Sequence, residues 1–315
     1  MFLIDKQYVS DFLIQTLKEN NYTVVATKVA RELVADTSLN WIGEKEAIAS
    51  LKTNPSQRIY SNSENALSWI DTHLGESELS KQINFLKDKA AFREQIKVLF
   101  PDFKFQKIKF ENIQDISSEE LPFPFVIKPS VGFLSLGVHI VKDEYDWTRA
   151  KEELTPQNLK SIFPKNVLDT SHFVLEDFIQ GEEYAVDYYH NDKGEVILLN
   201  VLHHVFASGS DTSDRVYSTS KAIMNQHKAE LEQFLGAVGN TLNLKNFPAH
   251  AEVRIDEKGN IVPIEINPLR FGGWCTTADL SGIALGLNSY KYYFDNACPN
   301  WDAIFQGKEN SIFSI

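Results

Sequence analysis

From His250 to Asn267 the chain alternates polar and apolar residues along two arms. These are His250-Ala-Glu252-Val-Arg254-Ile-Asp256 and Ile261-Val-Pro-Ile-Glu265-Ile-Asn267, joined by Glu257-Lys258-Gly259-Asn260. Successive side chains of a strand point to opposite faces, so such alternation marks a strand with one face buried and one polar. Lys258-Gly259 supplies a two-residue turn. A hairpin closed there sets Glu257 against Asn260, Glu252 against Glu265 and His250 against Asn267. Its other face pairs Val253 with Ile264 and Ala251 with Ile266, an apolar surface that a core must cover.

Two carboxylates opposed across a ladder lie about 5 Å apart at Cβ and repel. A divalent cation makes the arrangement favourable. Glu and Asn oxygens are hard ligands, suited to Mg²⁺ or Mn²⁺. The competing reading is a solvated strand face whose charges keep the protein soluble, and a bulge at Gly259 would shift the register. The hairpin alone does not choose between them.

The 315 residues allow one to three modules with a substantial core. The formal charge of −12 argues against nucleic acid or an anionic membrane as the main partner, while leaving room for a locally bound phosphate. Residues 1–18 lack the basic start and apolar run of a signal peptide, and Val196–Phe206 is too short to span a bilayer. The only cysteines, Cys275 and Cys298, make a disulfide framework or a thiolate zinc site improbable. These features read as a cytoplasmic protein.

The first third alternates strands (Phe2–Ile4, Thr23–Ala26) with helices (Val9–Glu19, Ser63–Leu74), a trimmed βαβ pattern without a dinucleotide-binding glycine turn. Lys81–Phe100 reads as one long amphipathic helix stopped by Pro101. Strands then follow at Phe105–Phe110, Phe123–Lys128, Gly137–Val141 and Phe173–Phe178, with a helix at Asp143–Leu154. The last region holds strands Tyr184–Tyr189, Val196–Val201, Ala249–Asp256 and Ile261–Ile266, and helices Gln226–Thr241 and Leu280–Leu287. Between them Ala207–Ser220, rich in Ser, Thr, Gly and Asp, reads as a surface loop. The fold class is α/β (α+β).

Lys128 ends an apolar strand and is followed by Pro129-Ser-Val-Gly-Phe-Leu-Ser135-Leu-Gly137. A loop of small residues leaves backbone N–H groups open to phosphate, and the lysine adds charge. Farther on, Glu176-Asp177-Phe-Ile179-Gln-Gly181-Glu-Glu183 joins two strands through a glycine, which frees backbone donors and acceptors for the edge of a base. Taken singly, Lys128 reads as a strand end and Glu176 as a surface residue.

In order and spacing these pieces resemble the ATP-grasp superfamily, with spacings similar to those of D-alanine–D-alanine ligases, over Lys89 to Leu287. The shared pattern is Lys128-Pro129-Ser130 with Ser135-Leu136-Gly137, then Glu176, then Gly181-Glu182-Glu183, then Glu252 with Glu265-Ile266-Asn267. The resemblance implies an ATP-grasp fold behind a short N-terminal βαβ domain (1–80). A linking helix (81–102), a lid subdomain (103–180) and a metal-bearing subdomain (181–315) would complete it. It implies ATP and Mg²⁺ (or Mn²⁺) as cofactors. Lys89 and Lys128 would hold the α- and β-phosphates, and Ser135 would cover the γ-phosphate. Glu176 would accept from the adenine amino group, Asp177 and Ile179 would offer backbone contacts, and Glu183 would bind the ribose. Glu252, Glu265 and Asn267 would ligate the metal.

Arg270 and Lys128 are the candidates for catalysis, and His250, Arg254, Arg270 and Trp274 for substrate. For Arg254 a neutralising role on the acidic strand face weighs equally. Three departures stand out: the apolar loop (Val131, Phe133, Leu134, Leu136), Leu269 inserted before Arg270, and a first domain with no specific pattern. The expected activity is a carboxylate–amine ligase acting on small molecules, amino acids foremost, with a homodimer allowed. Its rivals are a small-molecule kinase, a bicarbonate-using carboxylase and a non-catalytic nucleotide-binding module.

Overall fold

The computed structural model describes all residues except 7, 133–135, 159–170, 207–215, 274–275 and 315, and only the backbone of 120. Ser135 and Trp274 therefore lie outside the described residues. The chain divides into two compact units: residues 1–84 with 182–205 and 216–315, and residues 85–181 with 206–215.

The first unit holds two sheets. Strands β1 (Phe2–Leu3), β2 (Thr23–Val25), β3 (Asn40–Ile42) and β4 (Tyr60–Ser61) form a parallel sheet in the order β3-β2-β1-β4. The first two helices between them start at side-chain caps: Ser10 accepts from Leu13 N–H and Thr27 from Ala30 N–H. In the second unit β5 (Phe105–Lys109), β6 (Phe125–Pro129), β7 (His139–Val141) and β8 (His172–Asp177) form an antiparallel sheet, β5-β8-β6-β7. Trp147, from the helix Glu144–Glu153, packs with Phe125, Ile127, Phe173 and Val141 in its core.

The chain then returns to the first unit. There β9 (Glu182–His190), β10 (Val196–Val205), β11 (Val216–Ser220), β12 (Phe247–Ile255), β13 (Ile261–Pro268) and β14 (Ile312–Ser314) run in the order β13-β12-β9-β10-β11-β14. Its two sheets share an aromatic core in which Phe2 stacks on Phe294 at 4.6 Å and Tyr60 meets Phe271 at 5.0 Å and Tyr290 at 5.2 Å.

Four expectations about elements are corrected. Lys81–Phe100 is not one helix but Glu78–Lys87 and Lys89–Ile96, broken at Asp88, whose carboxylate accepts from Ala90 and Ala91 N–H and so caps the second. The stretch read as loop to Ser220 contains β11, paired with β10 and β14; Val216, Tyr217 and Thr219 are residue types that favour strands. Ser220 caps the helix Lys221–Thr241, which begins five residues before the expected start. Finally, the helix expected at Leu280–Leu287 starts at Thr276 and continues as a π-helical turn, Ser281–Leu285, closed by Gly286 at φ +70°. Asp279, inside the helix, accepts from Ser10 Oγ at 2.9 Å.

Candidate functional site

The hairpin of β12 and β13 pairs Glu252 with Glu265, His250 with Asn267 and Ala251 with Ile266. It arrives at that register by another route than the two-residue turn. Ile255 pairs with Ile261, and Asp256 C=O accepts from Gly259 N–H. The Asp256 carboxylate accepts from Lys258 N–H and Asn260 N–H, with Gly259 at φ +83°. That is a longer, Asp-capped turn with glycine in the left-handed region. A bulge between Glu252 and Val253 then sets Val253 against Pro263 instead of Ile264. The turn shifts the register by one residue and the bulge shifts it back, so the carboxylates still meet.

Asp187 on β9 pairs with His250, Ala185 with Glu252 and Glu183 with Arg254, which continues the polar face onto the neighbouring strand. His204 on β10 meets Glu183 at 3.0 Å through Nδ1 and stacks on Tyr217 of β11 at 4.5 Å. Arg254 donates to the other Glu183 oxygen at 3.1 Å, so Glu183 sits between two basic side chains. His250 is buried, donating from Nδ1 to Asp187 Oδ1 at 2.7 Å, with Nε2 3.8 Å from Glu252 Oε1. Asn267 Nδ2 donates to Glu265 Oε1 at 3.1 Å.

Beyond β13 the chain turns through Leu269, buried and left-handed at φ +57°. Its N–H donates to Pro248 C=O at 2.8 Å and its C=O accepts from Ser61 N–H at 2.7 Å. A branched side chain at positive φ is costly, and the paired backbone on both sides holds it there. Arg270 follows, buried, donating to Phe271 C=O at 3.3 Å and to Glu64 at 3.4 Å. The inserted leucine thus brings Arg270 to an acid from the first 80 residues.

In the second unit Lys128, at the end of β6, meets Glu176 of β8 at 2.6 Å, both buried. Arg93 of the helix Lys89–Ile96 donates to both Glu176 oxygens, at 2.8 and 3.2 Å, and lies over the Phe103 ring at 4.4 Å. Burial alone would raise the Glu176 pKa, but Arg93 and then Lys128 hold it at about 2. Lys128 is also lowered, first by burial and then by Arg93 and Lys89, with Glu176 opposing. The two ends of the pair thus pull in opposite senses. The carboxylate is the favoured member because it faces two cations, whereas Lys128 shares its surroundings with two other cations. Lys89 is buried too, donating from Nζ to Gly132 C=O at 3.0 Å and from its backbone N–H to Ser130 C=O. Asp177 accepts at Oδ2 from Lys104 N–H at 2.7 Å and donates its own N–H to Lys104 C=O, while Ile179 is buried.

The first unit therefore gathers Glu252, Glu265, Asn267, His250, Glu183 and Arg254 on one sheet, and the second gathers Lys89, Lys128 and Glu176. Arg93 and Asp187 were missed. A charged residue inside Tyr184-Ala-Val-Asp187-Tyr-Tyr was a signal for a buried acid; Arg93 carries no comparable mark on its helix.

The ATP-grasp domain model matches residues 121–278, half of the chain and the span that carries these strands. The chain belongs to the ATP-grasp family. The ATP-grasp chain is 24% identical to alanine–anticapsin ligase of Bacillus amyloliquefaciens over 57% of its own length and 40% of that protein's. It therefore spans about two fifths of that relative. Its fold is similar to that of L-amino acid ligase from Bacillus licheniformis, with TM-score 0.65 and 18% identity, covering 98% of this chain and 76% of that one. It is also similar to biotin carboxylase from Campylobacter jejuni, with TM-score 0.63 and 14% identity, covering 96% and 72%.

The family implies a divalent metal, and the donor set fits one: two opposed carboxylates and an adjacent amide offer hard oxygens. Among the described residues no group of three or more His, Cys, Asp or Glu is placed to hold a metal ion, so the set here is two carboxylates and the Asn267 amide. An open set of this kind suits Mg²⁺, which keeps waters or phosphate oxygens in its remaining positions. Among the same residues no helix is long and apolar enough to cross a membrane.

Proposed function

We propose that this protein is an ATP-dependent ligase that activates a small carboxylate as an acyl phosphate and joins it to an amine, releasing ADP and phosphate. The observation that carries the reading is the Glu252–Glu265 pair with Asn267 beside it, on strands inside the matched ATP-grasp span. The names of the similar proteins, two of them amino acid ligases, support amino acids as substrates.

Glu252, Glu265 and Asn267 are assigned to Mg²⁺, which when bound would neutralise the phosphate charge that develops during transfer. Lys89 and Lys128 are assigned to the α- and β-phosphates. The basic side chains at this end of the sheet support this: Arg93 and Lys128 face the Glu176 carboxylate, and Lys89 lies near enough to Lys128 to lower its pKa. Glu176, Asp177 and Ile179 would border the base, with Glu176 fixed by Arg93. Ser135 and Trp274 keep their assignments to the phosphate loop and the substrate. Arg270 is assigned to the substrate carboxylate or acyl phosphate, and Glu183 to the ribose, with Arg254 as its counter-charge. The division into 1–80, 81–102, 103–180 and 181–315 is proposed as a division of roles, with the first part contributing Glu64 toward Arg270.

In the reaction a carboxylate oxygen attacks the γ-phosphorus and ADP leaves. The amine nitrogen then attacks the acyl carbon, loses a proton, and phosphate departs. Hydroxylamine supplied with ATP, Mg²⁺ and an accepted acid should yield a hydroxamate, with ADP in matching amount. A stable phosphate ester would point to a kinase and bicarbonate-dependent ADP release to a carboxylase. Thermal stabilisation by nucleotide with no ADP would point to a binding module. ADP release with an identified acid, but neither hydroxamate nor amide, sinks the ligase reading.

A further inference from the structure

His250 was expected at the substrate, yet it is buried and its ring is held on three sides. Nδ1 donates to Asp187 Oδ1 at 2.7 Å. Gly272 lies flat against the ring, so close that a Cβ there would fall 2.3 Å from Cε1. The remaining nitrogen, Nε2, lies 3.8 Å from Glu252 Oε1, beyond hydrogen-bond distance and attractive only when the ring carries both protons.

Asp187 is itself fixed. Its Oδ1 also accepts from Gly272 N–H at 3.0 Å, and Gly272 C=O accepts from Thr277 Oγ1 at 3.1 Å. Ser281 Oγ donates to Thr277 C=O at 2.9 Å and accepts from Asn200 Nδ2 at 2.9 Å, and Thr219 Oγ1 donates to Asn200 Oδ1 at 2.8 Å. Strands β10 and β11 and the π-helical turn thus anchor one acid. Asp187 is fully buried, and its Oδ2 has no hydrogen-bond partner among the described residues. Burying a carboxylate half-satisfied is costly, and a neutral residue would serve packing better.

We propose that His250, held by Asp187, is a positioning residue that orients Glu252 and thereby sets the divalent-cation affinity of this face. Buried partners that fix the direction of a liganding group govern affinity elsewhere in metal sites, where losing one weakens binding about 10–100-fold. The inference rests on the assignment of Glu252 and Glu265 to the metal. It reassigns His250 from substrate to the support of a ligand.

The test is Mn²⁺ titration of the full chain, followed by electron paramagnetic resonance, with a saturating non-hydrolysable ATP analogue. His250→Asn keeps a donor near the Nδ1 position but removes the ring edge facing Glu252; Asp187→Asn changes one group without changing shape. Each should weaken Mn²⁺ binding about tenfold or more. Analogue binding without metal, and the melting temperature of Asp187→Asn, should stay near wild type. A purely structural role predicts the reverse: lowered melting with unchanged Mn²⁺ affinity. If His250→Asn does not fold, Asp187→Asn decides alone. Glu265→Gln separates the two levels. If it loses Mn²⁺ while folded Asp187→Asn binds as wild type does, the positioning role is overturned and the metal assignment stands. If Glu265→Gln binds Mn²⁺ unchanged, both fall.

Discussion

The polar row on the six-stranded sheet is made of oxygen donors, with basic side chains serving as their supports. In the second unit the arrangement is inverted: Lys128 and Arg93 meet at one buried carboxylate, Glu176, and Lys89 lies near Lys128. In the proposed function one face receives a cation and the other an anion. In each case the residue that fixes the arrangement, Asp187 or Arg93, lies underneath the residues a motif would pick out. The comparison teaches that function-bearing charges on a sheet are only as well placed as the buried counter-charge below them.

The sharpest way to break this comparison is to remove a support. Arg93→Ala leaves Glu176 with Lys128 alone and strips the stacking on Phe103, so the second unit should lose about 3–5 kcal/mol. Denaturant melts would detect that, and an unchanged midpoint would show that Arg93 is not a support at all. On the other face, Glu265→Gln removes a proposed ligand while leaving a neutral, similarly shaped side chain. ATP turnover should fall about 10²–10³-fold with a normal melting curve. Unchanged turnover would remove the oxygen row from the account. The mildest contrast is between lysines. Lys128→Ala should raise the KM for ATP about tenfold, near 1.4 kcal/mol. Lys18→Ala, which removes only an exposed pair with Asp36, should leave kinetics untouched. Equal effects would show that the cationic cluster does not face nucleotide.

Much of the oxygen row was legible because a period of two is enforced at every residue of a half-buried strand. Glu252 opposite Glu265 followed from that period together with one turn. The turn itself was misread, since Asp256 takes two backbone N–H groups, a competition that alternation does not encode. The break at Asp88 was hidden for a similar reason: a helix-compatible pattern continues straight through a residue whose carboxylate caps a new start. Pairings between distant segments, such as Arg93 with Glu176 or Asp187 with His250, have no local period. They depend on which strands become neighbours. Leu269 was visible as an oddity, but its meaning required the strand end and Ser61 to be seen side by side.

That stitch between Ser61 and Leu269 has a consequence for how the chain is made. The first unit is discontinuous, and Phe2 and Tyr60 find Phe271, Tyr290 and Phe294 only after some 200 further residues have been added. At translation speeds of roughly 5–20 residues per second, the early aromatic strands wait about 10–40 seconds for their covering. The second unit, nearly continuous in sequence, can close during that interval. An N-terminal half expressed alone should therefore be held by chaperones or aggregate, because the rings that cover Phe2 and Tyr60 come from the last part of the chain.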